Sequence, residues 1–120
     1  MRRKFWFMER EVKKLLFDIS VSAKNINDFL GEKKYYEEYK NNTLVRRAIE
    51  RELEIIGEAI NRLLKIKPDI EIKVARKIVN FRNRISHGYD SIDDETVWGR
   101  IINHLPILQQ DVESLLNEDK

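Results

Sequence analysis

Apolar residues recur at three- and four-residue spacing along most of this 120-residue chain, and that period leaves little choice but helices. From about Met8 to Leu30 the stripe is Val12, Leu15, Leu16, Ile19, Ala23, Ile26 and Leu30, and Gly31 stands where a helix takes a left-handed terminator. A second stripe, Val45, Ile49, Leu53, Ile56, Ile60 and Leu63, predicts a helix capped by Asn42 or Thr43 and ending near Lys67. Between the two, Gly31 to Asn42 is polar and rich in tyrosine (Tyr35, Tyr36, Tyr39), a loop with room for a short helix. Pro68 and Asp69 punctuate the chain, with Asp69 read as the N-cap of a third helix. That helix carries Ile72, Ala75, Ile78, Phe81 and Ile85 and stops around His87, where Gly88 serves as terminator. Ser91 to Asp94 reads as a turn and a fresh cap. The last helix holds Val97, Ile101, Leu105, Leu108, Val112 and Leu115, with a kink expected at Pro106.

No segment sustains a two-residue alternation, so no sheet is expected. Four substantial helices with short connections predict an all-α antiparallel bundle of four to five helices, with residues 1–120 forming one domain. Charged residues make up 37% of the chain, which suits long amphipathic helices that keep one face in water. The formal net charge of +2 is too small to announce a nucleic-acid binder, although a local patch could serve; Arg76 and Lys77 belong to a basic stripe of the kind that is more often a wet helix face than a binding surface. Cysteine is absent, which excludes disulfides, thiolate metal sites and cysteine nucleophiles. No apolar run is long enough for a signal-peptide core or a membrane span, so the expected place is the cytoplasm.

The chemistry concentrates in Asn80-Phe81-Arg82-Asn83-Arg84-Ile85-Ser86-His87-Gly88-Tyr89-Asp90. A permanent cation, an imidazole and a phenol fall within about two helical turns there, next to a predicted helix end. An arginine fork matches phosphate oxygens and stabilises charge as it develops. Histidine moves protons near neutral pH, and a helix C-terminus favours its protonated form. Together these suit phosphodiester transfer on RNA, which brings its own nucleophile in the 2′-hydroxyl. No carboxylate–histidine ligand cluster is apparent, so cleavage without metal or other cofactor is the expectation. One geometric condition follows. At about 100° per residue, Arg82 and His87 diverge by roughly 140° on an ideal helix. They converge only if the helix unwinds near Gly88 or if a second protomer supplies one of them. The plainer reading of such a pair is a helix cap and an ion pair.

The same stretch resembles the hallmark of the HEPN superfamily, an arginine and a polar residue followed by a histidine, here Arg82, Asn83 and His87 with four residues between Arg82 and His87. Tyr89, two positions after His87, resembles the HepT-type variant. Glu54-Ile55-Ile56-Gly57-Glu58-Ala59 is similar to the middle helix of HepT-like proteins, and the Gly-Tyr-Asp turn, Val97-Trp98 and Leu105-Pro106 follow in the matching order. The similarity runs from roughly Leu44 to Leu116. It implies a HEPN-like bundle forming a twofold homodimer, with Arg82 and His87 of both protomers lining a cleft at the interface. It further implies a metal-independent ribonuclease toxin, acting on an RNA such as tRNA or mRNA. Its partner would be a minimal nucleotidyltransferase (MNT) antitoxin that adenylylates Tyr89. Relatives lacking the motif serve instead as nucleotide- or substrate-binding subunits of nucleotidyltransferase complexes.

Supporting roles are expected around the motif. Glu58 pairs with Arg82 and orients its guanidinium, and Asn83 either bonds substrate or caps the helix. Arg84 is a solvated residue within reach of RNA backbone. His104 is expected to be structural, Gly57 to permit close helix packing, and Trp6 and Trp98 to serve the core or a dimer contact. The tyrosine cluster is expected to pack, with stacking on RNA bases as the alternative.

Overall fold

The computed structural model describes residues 2–32, 34–86 and 94–118, and the side chains of 9–32, 34–80 and 94–118. Within them the chain is helical in six segments: α1 (Arg2–Leu30), α2 (Tyr36–Lys40), α3 (Thr43–Ile66), α4 (Ala75–Ser86), α5 (Asp94–Asn103) and α6 (Leu105–Asn117). No strand occurs among the described residues.

Helix α3 is the axis. It packs on α1 along one side and on α4 along another, with α2 against its start, while α1 also meets α6. The α1–α3 pair is antiparallel. Asn25 bonds Glu52 at 3.2 Å, whereas Leu15, earlier on α1, shares a groove with Ala59, further along α3. The expected stripes form the core. Ile19, Ala23, Ile26, Ile49, Ile56, Ile60, Leu63, Ile101, Leu108 and Val112 are fully buried. Val12, Leu30, Val45 and Leu115, at the stripe ends, are partly buried.

Two local devices act at the positions where the sequence carries them. Gly31 takes φ +75°, and its N–H reaches the Asn27 carbonyl at 3.0 Å. A Cβ there would meet nothing, so it is the left-handed backbone and not crowding that favours glycine. Asn42, not Thr43, caps α3. Its backbone is extended, and its Oδ1 accepts the Val45 N–H at 3.0 Å.

Three boundaries differ from expectation. Helix α1 begins at Arg2 and not near Met8, because no glycine, proline or capping residue interrupts Arg2 to Met8. Asp69 does not cap a helix. Pro68 and Asp69 are the central residues of a turn closed by the Ile70 N–H on the Lys67 carbonyl at 3.1 Å. Proline's fixed φ suits the second position of such a turn, and it drives the preceding Lys67 out of the helical region, to φ −137°, ψ 82°. Residues 70–74 then run as a strap, with Ile70, Ile72 and Val74 buried and Glu71 and Lys73 exposed, a short two-residue alternation. The Lys73 N–H is held by the Asp111 carboxylate of α6 at 3.0 Å. Helix α4 starts only at Ala75. Finally, the kink expected at Pro106 is a break. Helix α5 stops at Asn103, His104 is a turn residue, and α6 restarts with Pro106 in its first turn, where a missing N–H costs nothing.

Candidate active site

Arg82 and Asn83 lie in the last turns of α4, whose regular backbone is described as far as Ser86. The side chains of Arg82 and Asn83, and the whole of His87, Gly88 and Tyr89, lie outside the described residues. So does the convergence that Arg82 and His87 require. Glu58 lies exposed on α3, in a groove of about 280 Å³ shared with Asp18 of α1 and with Arg51, Glu54 and Arg62. The expected Glu58–Arg82 contact falls with the Arg82 side chain, outside the described residues. Gly57, beside Glu58, is buried.

The structure does define what brackets the motif. On one side α4 is seated on α3, with Ile78 and Val79 each 8% exposed. On the other, α5 opens with Asp94, whose two carboxylate oxygens both lie 3.1 Å from one Nη of Arg46 in the first turns of α3. Thr43 Oγ1 accepts from the second Nη at 3.0 Å. The pair is about three-quarters buried on each side, 26% and 29% exposed, so its attraction is less screened than that of a surface pair.

One turn into α5, Trp98 packs against Tyr36 edge-on at 5.8 Å between centroids and against Tyr39 at 5.5 Å. These two tyrosines are therefore packing residues, and Trp98 is a contact between α5 and α2. Tyr35 is exposed. Burial, with Glu50 and Asp94 adding to it, pushes the Tyr39 phenol above its ordinary range. Burial likewise holds the Glu50 carboxyl above its ordinary value, Arg46 opposing and Asp94 reinforcing. Arg46, Glu50, Asp94, Tyr39 and Trp98 thus form one partly buried cluster at the start of α5. Sequence reasoning missed the Arg46–Asp94 pair. Asp94 is legible only as a cap, and nothing local marks a partner 48 residues away.

The remaining candidates stand apart from this region. Arg76, Lys77 and Asn80 lie exposed on α4. His104 accepts a hydrogen bond at Nδ1 from the Arg100 guanidinium, 3.2 Å away. Burial first, then Arg100 and Lys77, lowers its affinity for a proton. It is a structural histidine at the α5–α6 break.

The family described as ribonuclease HepT-like matches residues 19–115, the whole of α3, α4 and the motif included. The chain belongs to that family. Among its HepT-like relatives, a candidate RNase of Methanocaldococcus jannaschii is 36% identical over 109 residues, covering 88% of this chain and 96% of its own. A second candidate RNase of the same organism is 30% identical over 114 residues, covering 92% and 91%. A candidate ribonuclease HepT of Thermococcus cleftensis is 29% identical over 112 residues, covering 90% and 98%. No solved structure matches the chain. Among the described residues, no helix of this HepT-like chain is long and apolar enough to cross a membrane.

Proposed function

We propose that this chain is a metal-independent endoribonuclease, the toxin of a HEPN/MNT pair, with Arg82 and His87 as its catalytic residues. One observation supports the reading: the HepT-like match spans residues 19–115, a range that contains Arg82, Asn83, His87 and Tyr89, the residues whose order resembles the family's motif. In the reaction the 2′-hydroxyl oxygen of RNA attacks the adjacent phosphorus and the 5′-oxygen leaves, giving a 2′,3′-cyclic phosphate and a 5′-hydroxyl. The His87 imidazole takes the 2′-hydroxyl proton or supplies the leaving oxygen's proton. Arg82 neutralises the charge that builds on the phosphoryl oxygens. Asn83 and Glu58 support it, Glu58 by orienting the guanidinium.

In this reading a second chain, one of the two routes to convergence, completes the site. Arg82 and His87 diverge on a regular helix, and α4 is regular through Ser86. A twofold dimer places two copies of the motif side by side. Apolar side chains that a second chain could cover are exposed on α1, Phe17 at 60% and Val21 at 42%. Tyr89 is the control point. Its phenol oxygen attacks the α-phosphate of ATP held by the antitoxin, pyrophosphate leaves, and the AMP so attached competes with RNA for Arg82.

The test is labelled RNA, tRNA included, incubated with the purified protein in excess EDTA. New ends bearing cyclic phosphate support the nuclease. No cleavage of any RNA, together with tight binding to a nucleotidyltransferase, supports a non-catalytic binding subunit instead. Light scattering at the mass of the 14.4 kDa monomer would overturn the dimer.

A further inference from the structure

In sequence, His87 and Tyr89 stand between two helices, and both of those helices are tied to α3. Before them, α4 is seated on α3, Ile78 and Val79 buried. After them, α5 begins at Asp94, whose two carboxylate oxygens each lie 3.1 Å from an Nη of Arg46 in the first turns of α3. The backbone of α5 packs on α6, so the Arg46–Asp94 pair is a direct side-chain link from α5 back to the helix that carries α4. Arg46 is itself held in place. Its other Nη bonds Thr43 at 3.0 Å, one turn earlier on α3. Trp98, four residues after Asp94, rests on the rings of Tyr36 and Tyr39 and steadies the same end of α5. The pair is mostly shielded from water, so its attraction is less screened than that of an exposed pair, and the loss of either member leaves the other charge partly buried and unpaired.

We propose that Arg46 is a positioning residue for the motif. By fixing Asp94 to α3 it sets where α5, the helix that follows the motif in sequence, begins relative to α3 and α4. Arg46 acts through Asp94 and touches no substrate in this account. The catalytic consequence rests on the nuclease reading, whereas the tether does not. Lysine keeps the charge but has no second Nη for Thr43, so it makes a looser tether.

The test joins hydrogen exchange to kinetics on the full chain. In Arg46→Ala, amide exchange in the first turns of α5, 94–100, is expected to rise at least fivefold, with α1 and the middle of α3 unchanged. Arg46→Lys should give a smaller rise in the same window. In RNA cleavage Arg46→Ala should lower kcat by about tenfold to a hundredfold and leave KM unchanged, as misplacement of a catalytic group does. Asp94→Asn should lower kcat in the same sense, and the double variant should be no slower than the slower single variant, because both changes cut one link. Lys24→Ala, which removes an exposed charge pair with Asp28 on α1, should change neither readout. Unchanged exchange at 94–100 in Arg46→Ala overturns the tether, whatever the activity. Raised exchange with unchanged kcat overturns the positioning role, as does a double variant in which the two losses multiply. If the wild type cuts no RNA, the nuclease reading fails alone, and exchange still decides the tether.

Discussion

Replacing Ile56 with alanine tests the packing on which the position of α4 depends. Ile56 is fully buried at the middle of α3, and it lines, with Ile78, Leu105 and Leu108, a void of about 20 Å³. Three helices therefore meet at this side chain. Alanine removes three carbon groups, about 2.4 kcal/mol of transfer free energy at ~0.8 kcal/mol each. The space left cannot close easily, because α4 and α6 are each fixed by other contacts, so a cavity penalty adds to the transfer loss. The expected total is about 3–4 kcal/mol, within the range for such truncations. In a chain of this size that lowers the melting temperature by roughly 10–15 °C. Urea unfolding followed by far-UV circular dichroism, at fixed protein concentration, measures it, and the dependence on urea should keep its slope. Leu44→Ala is the control: Leu44 is 80% exposed, and its loss should change stability by about 0.5 kcal/mol or less. A cost for Ile56→Ala below about 1 kcal/mol would refute the three-helix junction.

Asn42→Ala removes the cap whose Oδ1 accepts the Val45 N–H at 3.0 Å, and should cost about 0.5–2 kcal/mol in the same unfolding experiment. His104 binds a proton less readily folded than unfolded, so its neutral form contributes stability that is present above the ordinary value of 6.5 and lost as pH falls below it. His104→Gln should flatten that part of the stability profile, and an unchanged profile would remove His104 from the acid response. Tyr89→Phe should fold normally, gain no AMP when co-expressed with the antitoxin, and stay toxic beside it. Mass spectrometry that maps AMP elsewhere, with Tyr89 untouched, would overturn the modification site.

The helical framework is legible in the sequence because burial on a helix leaves a repeating mark. Ile49, Leu53, Ile56, Ile60 and Leu63 follow that mark and are buried. Gly31 and Asn42 are legible because a left-handed residue and a side-chain cap are local devices. The 70–74 strap is not. Three apolar residues make too short an alternation to outweigh a helical reading, and Pro68-Asp69 opens a turn as readily as a helix. Pro106 likewise marks a kink or a restart with equal force, and only the turn at His104 distinguishes them. The Arg46–Asp94 pair depends on tertiary packing, and no spacing rule reaches across 48 residues. Of the motif, the order and types of Arg82, Asn83, His87 and Tyr89 are plain in the chain, whereas their convergence depends on the path after Ser86 or on a second protomer.

The most direct measurement compares wild type, Arg82→Ala and His87→Ala on one labelled RNA in excess EDTA, with the ends identified chemically. Wild type should leave 2′,3′-cyclic phosphate and 5′-hydroxyl ends, and each variant should lose cleavage while keeping the helical circular dichroism of the parent. Cleavage that persists in His87→Ala, or that stops in wild type when EDTA is added, would contradict a metal-independent nuclease built on Arg82 and His87.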